Sequence, residues 1–216
     1  MTGMRIRYQT IEIQDIDIHV RTLWDNQQYC DLDGIASKIG ISSATWPLFG
    51  VIWASAEVLA HLMFDYEIEG IRILEVGCGI GLASLVLNHR LADITSTDYH
   101  PEAEAFLQKN VDLNNGPEIP FIRAAWGEKD TGLGKFDLII GSDLLYERVH
   151  AADLSHFIDH HSHKRCDVII VDPGRGQSAS FSNNMVDFGY TISKTQTCSD
   201  FLREEVSGKI LHYHRN

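Results

Sequence analysis

Residues 75 to 98 carry groups suited to holding a nucleoside. Glu75-Val76-Gly77-Cys78-Gly79-Ile80-Gly81 sets three alternate glycines where an apolar run gives way to a helix-like segment. Glycines at such a junction permit positive φ and let a ligand come close to the backbone. The helix behind them offers unpaired N–H groups. A dinucleotide fingerprint would need a third glycine where Leu82 stands, so the spacing here is GxGxG. Asp98 ends the next apolar run, 23 residues after Glu75. In an open α/β sheet a carboxylate there lies beside the glycine loop, at the carboxyl ends of the strands. It can accept hydrogen bonds from both ribose hydroxyls, and it would repel a 2′-phosphate, which argues against NADP. The competing reading of Asp98 is a cap for the helix opening near Pro101.

The elements that must position these groups follow from periodicity. Ile16, Ile18 and Val20 alternate with Asp17 and His19, which predicts a strand paired with 5–13 across Gln14-Asp15. Residues 24–50 read as mixed and loop-like, and 51–64 as an apolar helix. From residue 71 onward strands and helices alternate: strands at 71–76, 92–97, 120–124, 136–140 and 167–171, helices at 82–89, 101–111, 149–161 and 181–188. That alternation predicts a parallel sheet covered on both faces. Two final strands, 191–196 and 205–213, are too closely connected for a parallel crossover and are expected to pair antiparallel. Residues 1–50 read as an N-terminal extension, a hairpin and loop packing on the core, and 51–216 as the main domain.

Composition narrows the partners. The 216 residues carry a formal net charge of −12, which disfavours nucleic acid, since affinity there comes from Lys and Arg on phosphates. Basic proteins and small molecules are favoured instead. No apolar run reaches about 18 residues, and the first twenty residues show no signal peptide, so no membrane association is expected. Cys30, Cys78, Cys166 and Cys198 are far apart, which disfavours a disulfide framework or zinc site and fits a cytoplasmic protein. His156, His160, His161 and His163 fall before a strand, at the edge opposite the glycine loop, and are read as a solvated helix end and loop rather than a metal site. Cys78 is read chemically as a small packing residue, not a nucleophile.

The chain resembles the class I S-adenosylmethionine-dependent methyltransferases over about residues 45–175. Within that class it is similar to the family that includes non-histone protein lysine methyltransferases. Four stretches carry the likeness: Trp46-Pro47-Leu48-Phe49-Gly50-Val51-Ile52-Trp53, the loop 75–81, Ala125-Trp126-Gly127, and Gly141-Ser142-Asp143-Leu144-Leu145-Tyr146, which matches the family's D-x-x-Y pattern. Asp172-Pro173-Gly174-Arg175 further resembles the branch that methylates the beta subunit of electron-transfer flavoprotein.

The resemblance implies a Rossmann-like seven-stranded, mostly parallel sheet with helices on both faces, a C-terminal antiparallel pair and an N-terminal hairpin-plus-helix extension. It implies S-adenosylmethionine as methyl donor, with S-adenosylhomocysteine as product. The expected cofactor residues are Trp53, Glu75, Gly77, Cys78, Gly79, Gly81, Asp98, Tyr99 and Trp126, with Tyr99 and Trp126 against adenine and Trp53 near the methionine end. Trp53 and Trp126 have core packing as their alternative. Asp143 and Tyr146 are expected on the acceptor side, Asp143 orienting an amine and Tyr146 lining its channel. Their alternative is a helix cap and a packed ring. Arg175 is placed near the same rim with no role assigned. The implied acceptor is a protein lysine. A small-molecule amine is the second hypothesis, a non-catalytic cofactor-binding module the third, and an NAD enzyme the fourth, against which Leu82 counts.

Overall fold

The computed structural model describes residues 3–128, 130–146, 150–197 and 208–216. Lys129, Val149, Cys198 and the predicted strand residues 205–207 lie outside them.

Alternation at the N-terminus builds the expected hairpin. β1 (Ile6–Ile13) pairs antiparallel with β2 (Ile16–Leu23), and Gln14 takes the turn at φ 54°. Ile18 and Val20 face inward and are buried. The hairpin is stitched to the core by α4 (Ala103–Leu113): Arg21 N–H donates to Asn110 Oδ1 at 2.6 Å and His19 N–H to Asn114 Oδ1 at 2.9 Å. Between hairpin and core run a single helical turn, α1 (Ile35–Lys38), and a 3-10 turn over Trp46–Gly50.

The stretch Trp46–Asp65 is long and apolar enough, by length and composition, to cross a membrane, although no run of about 18 apolar residues was expected. In the fold it is broken at 51–53, and its second part becomes α2 (Ala54–Asp65). Val58, Leu59, Ala60 and Met63 of α2 are fully buried against the sheet.

That sheet has seven strands in the order β5-β4-β3-β6-β7-β9-β8. They are β3 (Arg72–Val76), β4 (Asp93–Asp98), β5 (Phe121–Arg123), β6 (Phe136–Ser142), β7 (Ser162–Asp172), β8 (Thr191–Thr197) and β9 (Lys209–Arg215). β3 to β7 run parallel, and β9 lies antiparallel between β7 and β8. Apolar strand residues split by parity onto two faces. Ile73, Ile94, Leu138 and Ile140 meet α2, α3 (Leu82–His89), α4 and the hairpin. Leu74, Val76, Ile139 and Ile170 meet α5 (His150–His161) and α6 (Ser178–Asp187). Cover on both faces is why these strands read as nearly unbroken apolar runs.

The chain winds outward from β3 in two directions, to β4 and β5 on one side and to β6 and β7 on the other. Loops diverge at that switch point, which opens a crevice at the carboxyl ends.

Two expectations change. β7 begins at Ser162, not 167, because Ser162 pairs with Phe136 before the register shifts across His163, Lys164 and Arg165, which are exposed. The histidine group is therefore not all solvated. His161 is buried, with Nδ1 at 2.9 Å from Gly134 O and Nε2 at 3.1 Å from Thr131 Oγ1, and burial lowers its pKa.

Candidate active site

The glycine loop leaves β3 in left-handed conformation at every second residue: φ is 61° at Gly77, 56° at Gly79 and 80° at Gly81. At Gly79 a Cβ would stand 2.7 Å from the Phe49 carbonyl oxygen, a backbone atom that cannot swing away. Glycine is thus required there on two counts. Cys78 N–H donates to Thr97 O at 3.0 Å and Gly79 N–H to Asp98 Oδ2 at 2.8 Å, so β4 fixes the loop.

Glu75 braces the loop from beneath. Strand parity turns its side chain, with that of Ile73, toward α3. There its Oε2 accepts from Ser84 N–H at 2.9 Å and from the Ser84 hydroxyl. Ser84 Oγ lies 2.7 Å from Ser96 Oγ, which ties β3, α3 and β4 together. Burial pushes the Glu75 carboxyl up to about 7 against an ordinary 4.5, although the Ser84 bonds favour the charged form. A carboxyl with a raised folded value binds more protons when folded. Its contribution is full below the unfolded value and is lost as pH rises through about 7. Glu75→Gln keeps an acceptor for Ser84 and has no proton to lose. Its stability relative to the parent chain is expected to rise by roughly 3 kcal/mol between pH 4 and pH 8. Urea denaturation of both chains across that range checks it; a constant difference would mean that Glu75 titrates alike in the folded and unfolded chains.

Asp98 ends β4 half-buried beside the loop. Its Oδ1 accepts from His100 N–H at 2.8 Å and its Oδ2 from Gly79 N–H. Desolvation raises its pKa, and the backbone N–H groups of His100, Gly79 and Tyr99 counter the rise. A carboxylate has about four lone-pair sites, so these backbone N–H groups leave acceptor capacity for a ligand.

These groups border a cavity of about 680 Å³, within the usual range for small-molecule and cofactor sites. Trp53, Gly77, Cys78, Gly79, Asp98, Tyr99, Trp126, Asp143 and Tyr146 all line it, brought together from five separate stretches. Glu75 and Gly81, expected in the same set, are not on its wall: Glu75 faces α3, and Gly81 caps that helix. Trp53 is held by Nε1–H to Leu48 O at 2.9 Å, and Tyr99 by its hydroxyl to Ile39 O at 2.7 Å.

Sequence reasoning did not assign the wall contributed by Gly40, Ile41 and Thr45, although the Trp46-Pro47-Leu48-Phe49 stretch lies next to it. This segment is clamped by aromatic stacking. Phe49 lies flat on His100 at 3.9 Å, and Trp46 meets the same ring edge-on at 5.3 Å. Burial pushes His100 down to about 4, so its ring is neutral at pH 7.

At the other end of the cavity, Asp143 sits in left-handed conformation at φ 53°, its N–H donating to Val171 O at 2.9 Å. Its carboxylate is gripped by Arg175: Nε–H donates to Oδ1 at 2.8 Å and Nη2–H to Oδ2 at 2.7 Å. Arg175 was placed near this rim from its loop, without a partner. Tyr146 is 48% exposed, not packed inside a helix. Its ring meets His150 edge-on at 4.5 Å, and His150 meets Trp126 at 5.1 Å. His150, also on the wall, was missed because nothing in its neighbourhood marks it. The cavity is therefore lined by the glycine loop and Asp98 from β3 and β4 and by a mostly buried carboxylate, Asp143, from the end of β6.

A family model described as lysine methyltransferase matches residues 40–187. Protein N-lysine methyltransferase METTL21A of Mus musculus is 30% identical over 152 residues, covering 67% of this chain and 69% of that protein. The electron transfer flavoprotein beta subunit lysine methyltransferase of Xenopus laevis is 29% identical over 142 residues, covering 62% and 55%. For most of the curated relatives, the matched stretch spans about half of their length. Among solved structures, magnesium protoporphyrin IX methyltransferase from Synechocystis PCC 6803 with bound SAM has a TM-score of 0.58 at 22% identity, covering 74% of this chain and 76% of that one. At that identity the likeness is one of fold.

Proposed function

The chain belongs to the lysine methyltransferase family, and on that footing we propose that it moves a methyl group from S-adenosylmethionine to a lysine side chain of a protein. The observation that supports the reading is one cavity lined both by Gly77, Gly79 and Asp98 and by Asp143 and Tyr146.

The residues present fit the methyl donor. The left-handed glycines keep the loop free of side chains, Asp98 retains acceptor capacity for the ribose hydroxyls, and Tyr99 and Trp126 supply aromatic walls for adenine. Trp53 stands at the methionine end. When bound, the donor supplies an electrophilic methyl carbon and a neutral thioether leaving group. The chain's own contribution is chiefly alignment, since nucleophile, carbon and sulfur must be collinear. On this reading Asp143 orients the acceptor nitrogen, and Tyr146 lines its path. A net charge of −12 suits a basic target surface. The well-separated cysteines suit a reducing cytosol, which is where we place it.

One observation favours a small amine as acceptor: Gly40, Ile41 and Thr45 of the N-terminal segment wall the cavity, which restricts access by a protein. Methyl transfer from labelled S-adenosylmethionine into a lysate of the source organism separates the two. Label on N-methyllysine in the protein fraction is expected. Label confined to small molecules would replace the lysine reading.

A further inference from the structure

Arg175 lies on the cavity wall, and the reaction so far leaves it without work. Its setting is specific. The Asp143 side chain is 11% exposed and the Arg175 side chain 44%, so the pair runs from the wall of the cavity out to its rim. Two hydrogen bonds of 2.8 and 2.7 Å make the contact bidentate, which fixes the plane of the carboxylate. The loop carrying Arg175 is itself anchored, with Arg175 N–H 3.3 Å from Asp172 Oδ1 at the end of β7. Gly174 and Gly176 on either side have φ of 96° and 88°, which lets the loop fold back toward β6. Asp143 hangs from the same strand through Val171 O. Both partners are thus referenced to β7.

The chemistry gives this pairing a consequence. An acceptor amine must be neutral to attack: its lone pair forms the N–C bond while the C–S bond breaks and its electrons leave on sulfur. The proton it sheds beforehand goes to water. A bare, largely desolvated carboxylate beside the nitrogen would stabilise the ammonium form and oppose that loss. A carboxylate already paired with a guanidinium still has lone pairs to accept an N–H, with its own negative charge offset; Asp172, which faces the same guanidinium from the end of β7, and Asp153 on the cavity wall are unchanged in the variants below.

We infer that Arg175 is a positioning residue for methyl transfer, holding the Asp143 carboxylate in a fixed plane and cancelling its charge so that the acceptor nitrogen is oriented without being kept as an ammonium. This rests on the lysine reading above.

The test uses the full chain, labelled S-adenosylmethionine and the total protein fraction of the lysate. That fraction is added until the rate no longer rises, so that the bound complex is what titrates. N-methyllysine formation is followed from pH 6 to pH 10. Arg175→Gln is expected to move the acid limb of the rate upward by about one pH unit and to lower the rate at pH 7 about tenfold, with donor affinity unchanged. Arg175→Lys restores the charge but not the fork; its limb is expected to return while its plateau stays below the parent's. An acid limb that stays in place in Arg175→Gln would overturn the inference, as would a loss of donor affinity as large as the loss of rate. Should Arg175→Gln fail to fold, Arg175→Lys decides alone: an unchanged plateau overturns the fixed-plane role. If the parent chain itself puts no label on lysine, the lysine reading has failed instead.

Discussion

Asp98→Ala is expected to weaken binding of S-adenosylmethionine about a hundredfold. Two charge-assisted hydrogen bonds to the ribose are each worth ~1.5–3 kcal/mol. Water entering the space left by the carboxylate recovers part of that. A net loss of about 3 kcal/mol corresponds to roughly two powers of ten. The substitution also removes the acceptor for Gly79 N–H, which loosens the loop where it meets β4. Asp98→Asn keeps the size and one acceptor oxygen, and is expected to fall between the two. Titration calorimetry reads both, and thermal melting without ligand guards against simple unfolding. Unchanged affinity in Asp98→Ala would take the ribose away from this residue.

Asp143→Ala carries the second large effect, on the other side of the transferred methyl. Losing the group that orients the nitrogen costs alignment, and a misplacement of about 1 Å is worth roughly a hundredfold in rate. Turnover is therefore expected to drop by about that factor, while donor affinity stays within about twofold, because the ribose end of the cavity is untouched. Single-turnover methyl transfer and calorimetry on the same preparation separate the two quantities. Parent-like turnover would remove Asp143 from the acceptor side.

Much of this site is legible in the sequence, and the misses have physical reasons. The glycine loop and Asp98 are local signals, set by backbone conformation and by the end of an apolar strand. Glu75 is equally visible, but its direction is not: strand parity points it under α3, where Ser84 waits nine residues further on. Arg175 and Asp143 are 32 residues apart and meet only because β6 and β7 are neighbours in the sheet. The start of β7 escaped because hydrophobic period marks burial, and His163 to Arg165 are exposed, with the His163 and Lys164 carbonyls accepting from the Arg215 side chain. The wall from Gly40 to Thr45 belongs to short turns with no period to detect.

The outward winding from β3 also divides labour. The carboxyl ends of β3 and β4 and the loops after them carry Gly77, Gly79, Asp98 and Tyr99, whereas the loops after β6 and β7 carry Asp143, Tyr146 and Arg175. Under the proposed function each half of the sheet serves one reactant, and the seam between β3 and β6 is where they meet. Exchanging the second half's loops for those of a relative is therefore expected to change acceptor choice more than donor affinity, with the His150 contact on Trp126 the place where such a graft would reach the donor side.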